Sequence, residues 1–308
     1  MTRHLSLIGA PSSAGAYAPG QEKAPAAFRR HGLAAALAAA GRNVRDRGDV
    51  PGFRWRLDPA RPMAMNLDEV RQVAAAVADE VADALADDQP VLVLGGDCTI
   101  ELGTVAGALR HEPSTALVYI DLDSDLNPPQ QSDGALDWTG VAHLLGLGGT
   151  ARELTGLGPR QPMLAPTDIL FFGVDNVTLP EQATIDRLQI PVVRLAEVKA
   201  DPSIAAQRAM RWAGRHRQLL IHLDVDVLSF TEFPIAENSR RRDGLALDEL
   251  EAVLTSLIAA PNWRALTLTE VNPDHAPVEA EAFARLNGLL ASALAVPATA
   301  EPTAPAFV

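Results

Sequence analysis

With one cysteine, Cys98, in 308 residues, the chain has no intramolecular disulfide and no disulfide framework. Nor does any stretch reach the roughly 18 consecutive apolar residues that a membrane-crossing helix needs. The opening MTRHLSLIGAP passes from a short polar start straight into a strand-like run, without the long apolar segment of a secretory signal. These absences give the expectation of a cytoplasmic protein that does not engage membranes. Basic charge is scarce as well: 26 Lys and Arg face 39 Asp and Glu, a net charge of −13. That balance argues against non-specific binding to nucleic acid or anionic lipid and is compatible with a cationic ligand. No internal repeat and no long Gly/Ser linker divides the sequence. It reads as one α/β domain over residues 1–295, followed by a Pro-, Ala- and Thr-rich tail, 296–308, expected to be flexible.

What is present is a regular alternation. Short, nearly continuous apolar runs occur at Leu5 to Ile8, Val91 to Leu94, Ala116 to Ile120, Ile169 to Phe172, Leu219 to Leu223 and Ala265 to Leu268. Such runs suit strands covered on both faces of a parallel sheet. Between them lie helical stretches near Pro25 to Ala40, Leu67 to Leu85, Asp137 to Leu147, Ile204 to His216, Leu247 to Ala259 and Val278 to Leu294. Strand and helix in repeated succession predict a doubly wound α/β architecture.

Ligands of such sheets bind beyond the C-terminal strand ends, and there the chemistry-bearing residues fall. Gly95-Gly96-Asp97-Cys98, Asp121-Leu122-Asp123-Ser124-Asp125-Leu126-Asn127, Asp224-Val225-Asp226 and Glu270-Val271-Asn272-Pro273 each follow or close a predicted strand. Alternation sets Asp121, Asp123 and Asp125 on one side of an extended segment, and Asp224 with Asp226 likewise. Bridging carboxylates at this spacing can hold a divalent pair about 3.5–4 Å apart. A single Asp-x-Asp would be better read as a cap or a solvated loop; two of them beside a Gly-Gly-Asp-Cys turn favour metal.

In these motifs, and in Ile8-Gly9-Ala10-Pro11 near the start, the sequence resembles the arginase, agmatinase and formiminoglutamase (ureohydrolase) family over nearly its whole length. The resemblance implies a three-layer αβα fold with a mainly parallel sheet of about eight strands. It implies two divalent ions, manganese first, and a small cationic guanidino substrate. The assembly it implies is a homo-oligomer, a trimer or hexamer. Its six metal ligands fall on Cys98, Asp121, Asp123, Asp125, Asp224 and Asp226. Asp125 would orient the nucleophile, Glu270 would hold the guanidinium, and Asn127, Ser132 and Asp137 would contact the rest of the substrate.

The departures are chemical. Cys98 and Asp123 stand where the family has histidines, Asp137 replaces a loop histidine, and Asp175 replaces a common arginine. Fully ionised, the ligand set carries five carboxylates and a thiolate against four charges from two divalent ions. Excess negative charge weakens the ions as Lewis acids and raises the pKa of bound water. A thiolate at Cys98 also favours zinc or ferrous iron over manganese there. His143 is a candidate proton shuttle, weighed against a helix-face histidine without a chemical role. His222 could lend a nitrogen, but a two-residue step places it about 6.5–7 Å down the strand from Asp224, which favours a packed histidine below the site. The function expected is hydrolysis of a linear guanidino or amidino C–N bond; the alternative is a catalytically lapsed binding protein.

Overall fold

The structure, a computed structural model, describes residues 4–240 and 242–296. The expected tail therefore lies, apart from Val296, outside the described residues. Eight strands form one sheet: β1 (Leu5–Gly9), β2 (Val44–Asp49), β3 (Val91–Leu94), β4 (Thr115–Ile120), β5 (Ile169–Val174), β6 (Val192–Arg194), β7 (Gln218–Asp224) and β8 (Trp263–Thr269). Every pairing is parallel, in the order β2-β1-β3-β8-β7-β4-β5-β6. Alternation along the inner strands feeds two cores. Leu92, Leu94, Val118, Ile120, Ile221, Leu223, Leu266 and Leu268 face one side, and Val91, Val93, Leu117, Tyr119, Leu220 and Ala265 the other.

Helices cover both faces, as a sheet apolar on both sides requires. In chain order they are α1 (Ala24–Arg30), α2 (Leu33–Ala39), α3 (Leu67–Ala86), α4 (Ile100–His111), α5 (Gly140–Leu144), α6 (Arg152–Thr155), α7 (Leu179–Leu188), α8 (Leu195–Ala200), α9 (Pro202–Ala213), α10 (Leu247–Ile258) and α11 (Glu279–Ala293). Residues of α1, α2 and α8 to α11 join the first core; those of α3 to α7 join the second. This is the three-layer αβα arrangement the resemblance implied.

Helix α4 runs down from the Gly95–Cys98 turn and lies close against α3. A Cβ built on Gly103 would stand 2.4 Å from the Ala74 carbonyl oxygen, and one on Gly107 2.5 Å from that of Ala78. Only glycine permits this approach. The sequence pattern does not propose β2, β6, α4, α6, α7 or α8. It also drew one helix over Pro25 to Ala40, where Gly32 at φ 83° separates α1 from α2. Asp137 to Leu147 likewise resolves into a single 3-10 turn, Asp137–Thr139, and the short α5.

Candidate metal centre

The four strands whose ends carry the motif residues, β3, β8, β7 and β4, are consecutive neighbours in the middle of the sheet. Their C-terminal ends open into a cavity of about 420 Å³. Cys98, Asp121, Asp123, Asp125, Asp224 and Asp226 all line it, together with Glu270, Asn127 and Asp137. Ser132 and His143 are not among the lining residues. The Ser132 hydroxyl lies 3.0 Å from the carbonyl oxygens of Pro129 and Ala135 and serves its own turn. His143 is fully buried: Nδ1 lies 2.8 Å from the Thr139 carbonyl, and Nε2 accepts from the Ala151 N–H at 3.1 Å. Both ring nitrogens are thus engaged within the fold. Burial lowers its pKa from 6.5 to about 4, so the ring is neutral near pH 7.

Backbone donors at the strand ends aim the carboxylates. The Asp123 N–H donates to Asp121 Oδ1 at 2.6 Å, and the Asp226 N–H to Asp224 Oδ1 at 2.7 Å. Asp226 also accepts from Asn238 Nδ2 at 3.3 Å. Asp125 accepts from the Tyr119 hydroxyl, and Asp123 from Asn176 Nδ2 at 2.6 Å. Glu270 is clamped on both oxygens, by the Cys98 N–H and by Gln21 Nε2, each at 3.0 Å. Asp125 and Glu270 adopt left-handed φ values, 49° and 62°, a conformation rare for side chains other than glycine and concentrated at functional sites. Buried Asp97 binds the Gly15 N–H at 2.9 Å, and the Gly15 carbonyl accepts the N–H groups of Leu136 and Asp137. The first glycine-rich loop and the Asp137 loop are thereby tied to the Gly-Gly-Asp-Cys turn.

Sequence reasoning passed over several neighbours. Tyr17, Trp138, Asn176, Glu181 and Asn238 line the cavity. Glu181 receives Ser124 Oγ at 2.8 Å and Asn127 Nδ2 at 2.9 Å, so Asn127 braces a carboxylate of α7 as well as facing the cavity. A Thr-x-x-Glu capping box, Thr178 with Glu181, was the available signal for this helix start.

Concentrated carboxylates in a buried setting resist ionisation. Burial, then Asp224 and Asp226, pushes Asp121 well above the usual carboxylate range. Burial also raises Asp125, Asp137, Asp224, Asp226 and Glu270. Burial raises the Cys98 thiol well above its ordinary value, with Asp224 and Glu270 adding to the shift. Without counter-charge the cluster holds protons; a bound cation would displace them.

The donor set fits such cations. Ligand atoms of Asp121, Asp224 and Asp226 lie within 4.8 Å of one another, and so do those of Cys98, Asp121 and His222. Asp121 belongs to both groups, and its Oδ2 is buried without a hydrogen-bond partner among the described residues. A buried carboxylate oxygen of this kind is suited to accept a cation. The oxygens of Asp123 and Asp125 fall outside these two groups, held by Asn176 and Tyr119. His222 is packed, as its place on the strand implies, stacked on Tyr119 with centroids 4.0 Å apart. Its Nε2 also comes within 3.6 Å of Cys98 Sγ.

Fold and site together define a parallel α/β protein with an acidic, metal-competent pocket over the centre of its sheet. The sequence model of the arginase family matches residues 3–294, and the chain belongs to that family. It is 29% identical to human mitochondrial arginase-2 over 294 residues, covering 92% of this chain and 81% of that protein. Among solved structures it resembles the Entamoeba histolytica arginase in complex with L-ornithine, with a TM-score of 0.86 and 21% identity. That match covers 96% of this chain and all 100% of the other. It also resembles the formimidoylglutamase of Bacillus subtilis, with a TM-score of 0.74, 18% identity, and coverage of 95% and 86%. Family membership supports a metal-dependent amidinohydrolase at the level of the family.

Proposed function

We propose that the chain hydrolyses a linear guanidino or amidino C–N bond in a small cationic substrate, using the metal centre at the β3, β8, β7 and β4 strand ends. The observation that carries this reading is the cavity wall. Eight carboxylates line it, Asp121, Asp123, Asp125, Asp137, Glu181, Asp224, Asp226 and Glu270, and Arg240 is the one basic residue among the described lining. Two divalent ions held among Cys98, Asp121, Asp123, Asp125, Asp224 and Asp226 would activate water and offset the carboxylate charge. Manganese suits the all-oxygen group of Asp121, Asp224 and Asp226.

The chain's own residues supply orientation. Glu270, fixed by the Cys98 N–H and Gln21, presents a rigid carboxylate that matches the planar N–H pair of a guanidinium. Asp125, bonded to the Tyr119 hydroxyl, sits where a proton leaving the nucleophile can be held. Asn127 and Asp137 stand on the wall for the distal end of the substrate, with Trp138 beside Asp137.

The test is release of urea, or of the corresponding amide, from arginine, agmatine, guanidinobutyrate and formiminoglutamate after parallel loading with manganese, zinc and ferrous iron. Turnover of at least one compound is expected. Glu270→Gln should lower kcat/KM by about 100-fold, the scale of a lost charge-assisted hydrogen bond. Metal bound but no turnover with any compound would instead support a lapsed, cation-binding member of the family. The held-back position of Asp123, bonded to Asn176, is the observation favouring that second reading.

A further inference from the structure

Behind Cys98, on the side away from the cavity, lies a chain of buried groups that the proposed hydrolysis does not use. His222 occupies β7 two residues before Asp224, paired in register with Tyr119 of β4 and Thr267 of β8. Its Nε2 is 3.6 Å from Cys98 Sγ, and its Nδ1 is 3.6 Å from Oε2 of Glu101, in the first turn of α4. His222 is 0% and Glu101 2% exposed. Among the described residues, neither Glu101 oxygen nor His222 Nδ1 has a hydrogen-bond partner. An ordinary buried histidine-carboxylate pair would close to a hydrogen bond; here Nε2 is in hydrogen-bonding contact with the Cys98 sulfur, while Nδ1 stops short of one to Glu101.

We infer that His222 is a metal ligand, oriented by Glu101, and that with Cys98 and Asp121 it forms a thiolate-imidazole-carboxylate position selective for zinc over manganese. This rests on the metal-centre reading above and deepens it by dividing that centre into a soft and a hard half joined through Asp121. The spacing supports the assignment. Bonds of about 2.3 Å to sulfur and 2.0 Å to nitrogen at a tetrahedral angle put the two atoms about 3.5 Å apart. The observed Sγ to Nε2 separation is 3.6 Å.

Asp121 supplies the third ligand and has the free buried oxygen to do so. Cys98 and Asp121 line the cavity and His222 does not, so three protein ligands close the site from below and leave a position open toward the substrate space. Three protein ligands with one open position is the arrangement of catalytic rather than structural zinc. Glu101, 3.6 Å behind Nδ1, stands where closing to a hydrogen bond would complete a carboxylate-histidine-metal series, fixing the ring's tautomer and strengthening it as a ligand. Sulfur and nitrogen donors shift preference away from manganese, whereas the second group, Asp121 with Asp224 and Asp226, offers oxygen alone.

The experiment is zinc- and cobalt-loading of the full chain, read by X-ray absorption at the zinc edge, by the near-ultraviolet thiolate-to-cobalt band, and by chelator competition. The unmodified protein should show one sulfur and at least one imidazole on zinc, and a thiolate band with cobalt. Cys98→Ser should abolish the band. His222→Gln should weaken zinc binding more than about 100-fold and Glu101→Gln by about 10- to 100-fold, the range for loss of an outer-shell partner. Manganese affinity should change less than about three-fold in both. Circular dichroism and the melting point in chelator report whether each variant folds, and the absorption measurement needs no variant. Zinc surrounded by oxygen alone, or His222→Gln binding zinc within about two-fold of the parent, would overturn this inference while leaving the metal-dependent reading intact. A protein that takes up no metal would overturn both.

Discussion

Asp125 and Glu270 show how much local distortion the site tolerates. Each holds a carboxylate in a left-handed backbone conformation, and each is tied by a neighbour, Tyr119 or the Cys98 N–H. His143 is the opposite case. A candidate proton shuttle on sequence grounds, it has both ring nitrogens spent on Thr139 and Ala151. A pH effect on stability follows from its burial. With a folded pKa of about 4 against 6.5 unfolded, the unfolded chain binds the extra proton between those values. Stability from this residue is therefore full above about pH 6.5 and is lost as pH falls toward 4. The full difference amounts to about 3 kcal/mol. Denaturant titrations from pH 7 to 4.5 should show a flatter decline for His143→Gln than for the parent. Parallel curves would mean that His143 does not titrate as its surroundings require.

At the scale of elements, α4 was hidden because its sequence, Ile100–His111, is apolar nearly all round and contains two glycines. A helix buried on nearly every side shows no amphipathic stripe, and glycine reads as a breaker until a close packing partner is known. The α3–α4 contact supplies that partner. Gly107→Val would drive methyl groups into the Ala78 backbone, whose oxygen already stands 2.5 Å from a built Cβ. A loss of at least about 1–3 kcal/mol is expected in denaturant unfolding, the range for overpacking a core. Because Cys98 and Glu101 flank the start of α4, metal affinity should fall with it. Unchanged stability would show that α3 can move away.

Strands were legible in proportion to burial. β3, β4, β5, β7 and β8 are apolar runs, whereas β2, Val-Arg-Asp-Arg-Gly-Asp, is half exposed at one edge and β6 has only three residues at the other. The strand-end carboxylates were legible for a related reason: an acidic residue after an apolar run has few structural uses. Glu181, Asn176 and Glu101 were not, because each lies in a different element from the carboxylate, histidine or motif it serves. Their contacts exist only after the chain has folded.

For the whole molecule, the buried carboxylates set the pH response of the metal-free state. Burial raises their pKa values, so over the range above the usual carboxylate values the native state binds more protons than the unfolded chain. Their contribution is present at low pH and is lost as pH rises through the raised values. Chelator-treated protein should therefore melt at a lower temperature at pH 8 than at pH 6. Metal at about 100 times its dissociation constant should add about 2.7 kcal/mol per site, or about 4 °C, and more at pH 8. A melting point indifferent to metal and chelator at every pH would remove the cluster as a working cation site.

The order of strands in the sheet has a consequence for synthesis. The pair at its centre, β7 and β8, is made last among the strands, and it separates β3 from β4. Until residues 218–269 have left the ribosome, β3 and β4 each present an unpaired apolar edge where the other half of the sheet will be. Such edges are templates for association with other chains, and their closure depends on contacts between distant parts of the sequence. The ligand set is incomplete over the same interval, since Asp224 and Asp226 arrive with β7 and Glu270 just after β8. Ion capture can thus seal the last insertion, and nascent chains halted near residue 217 should depend most on chaperones.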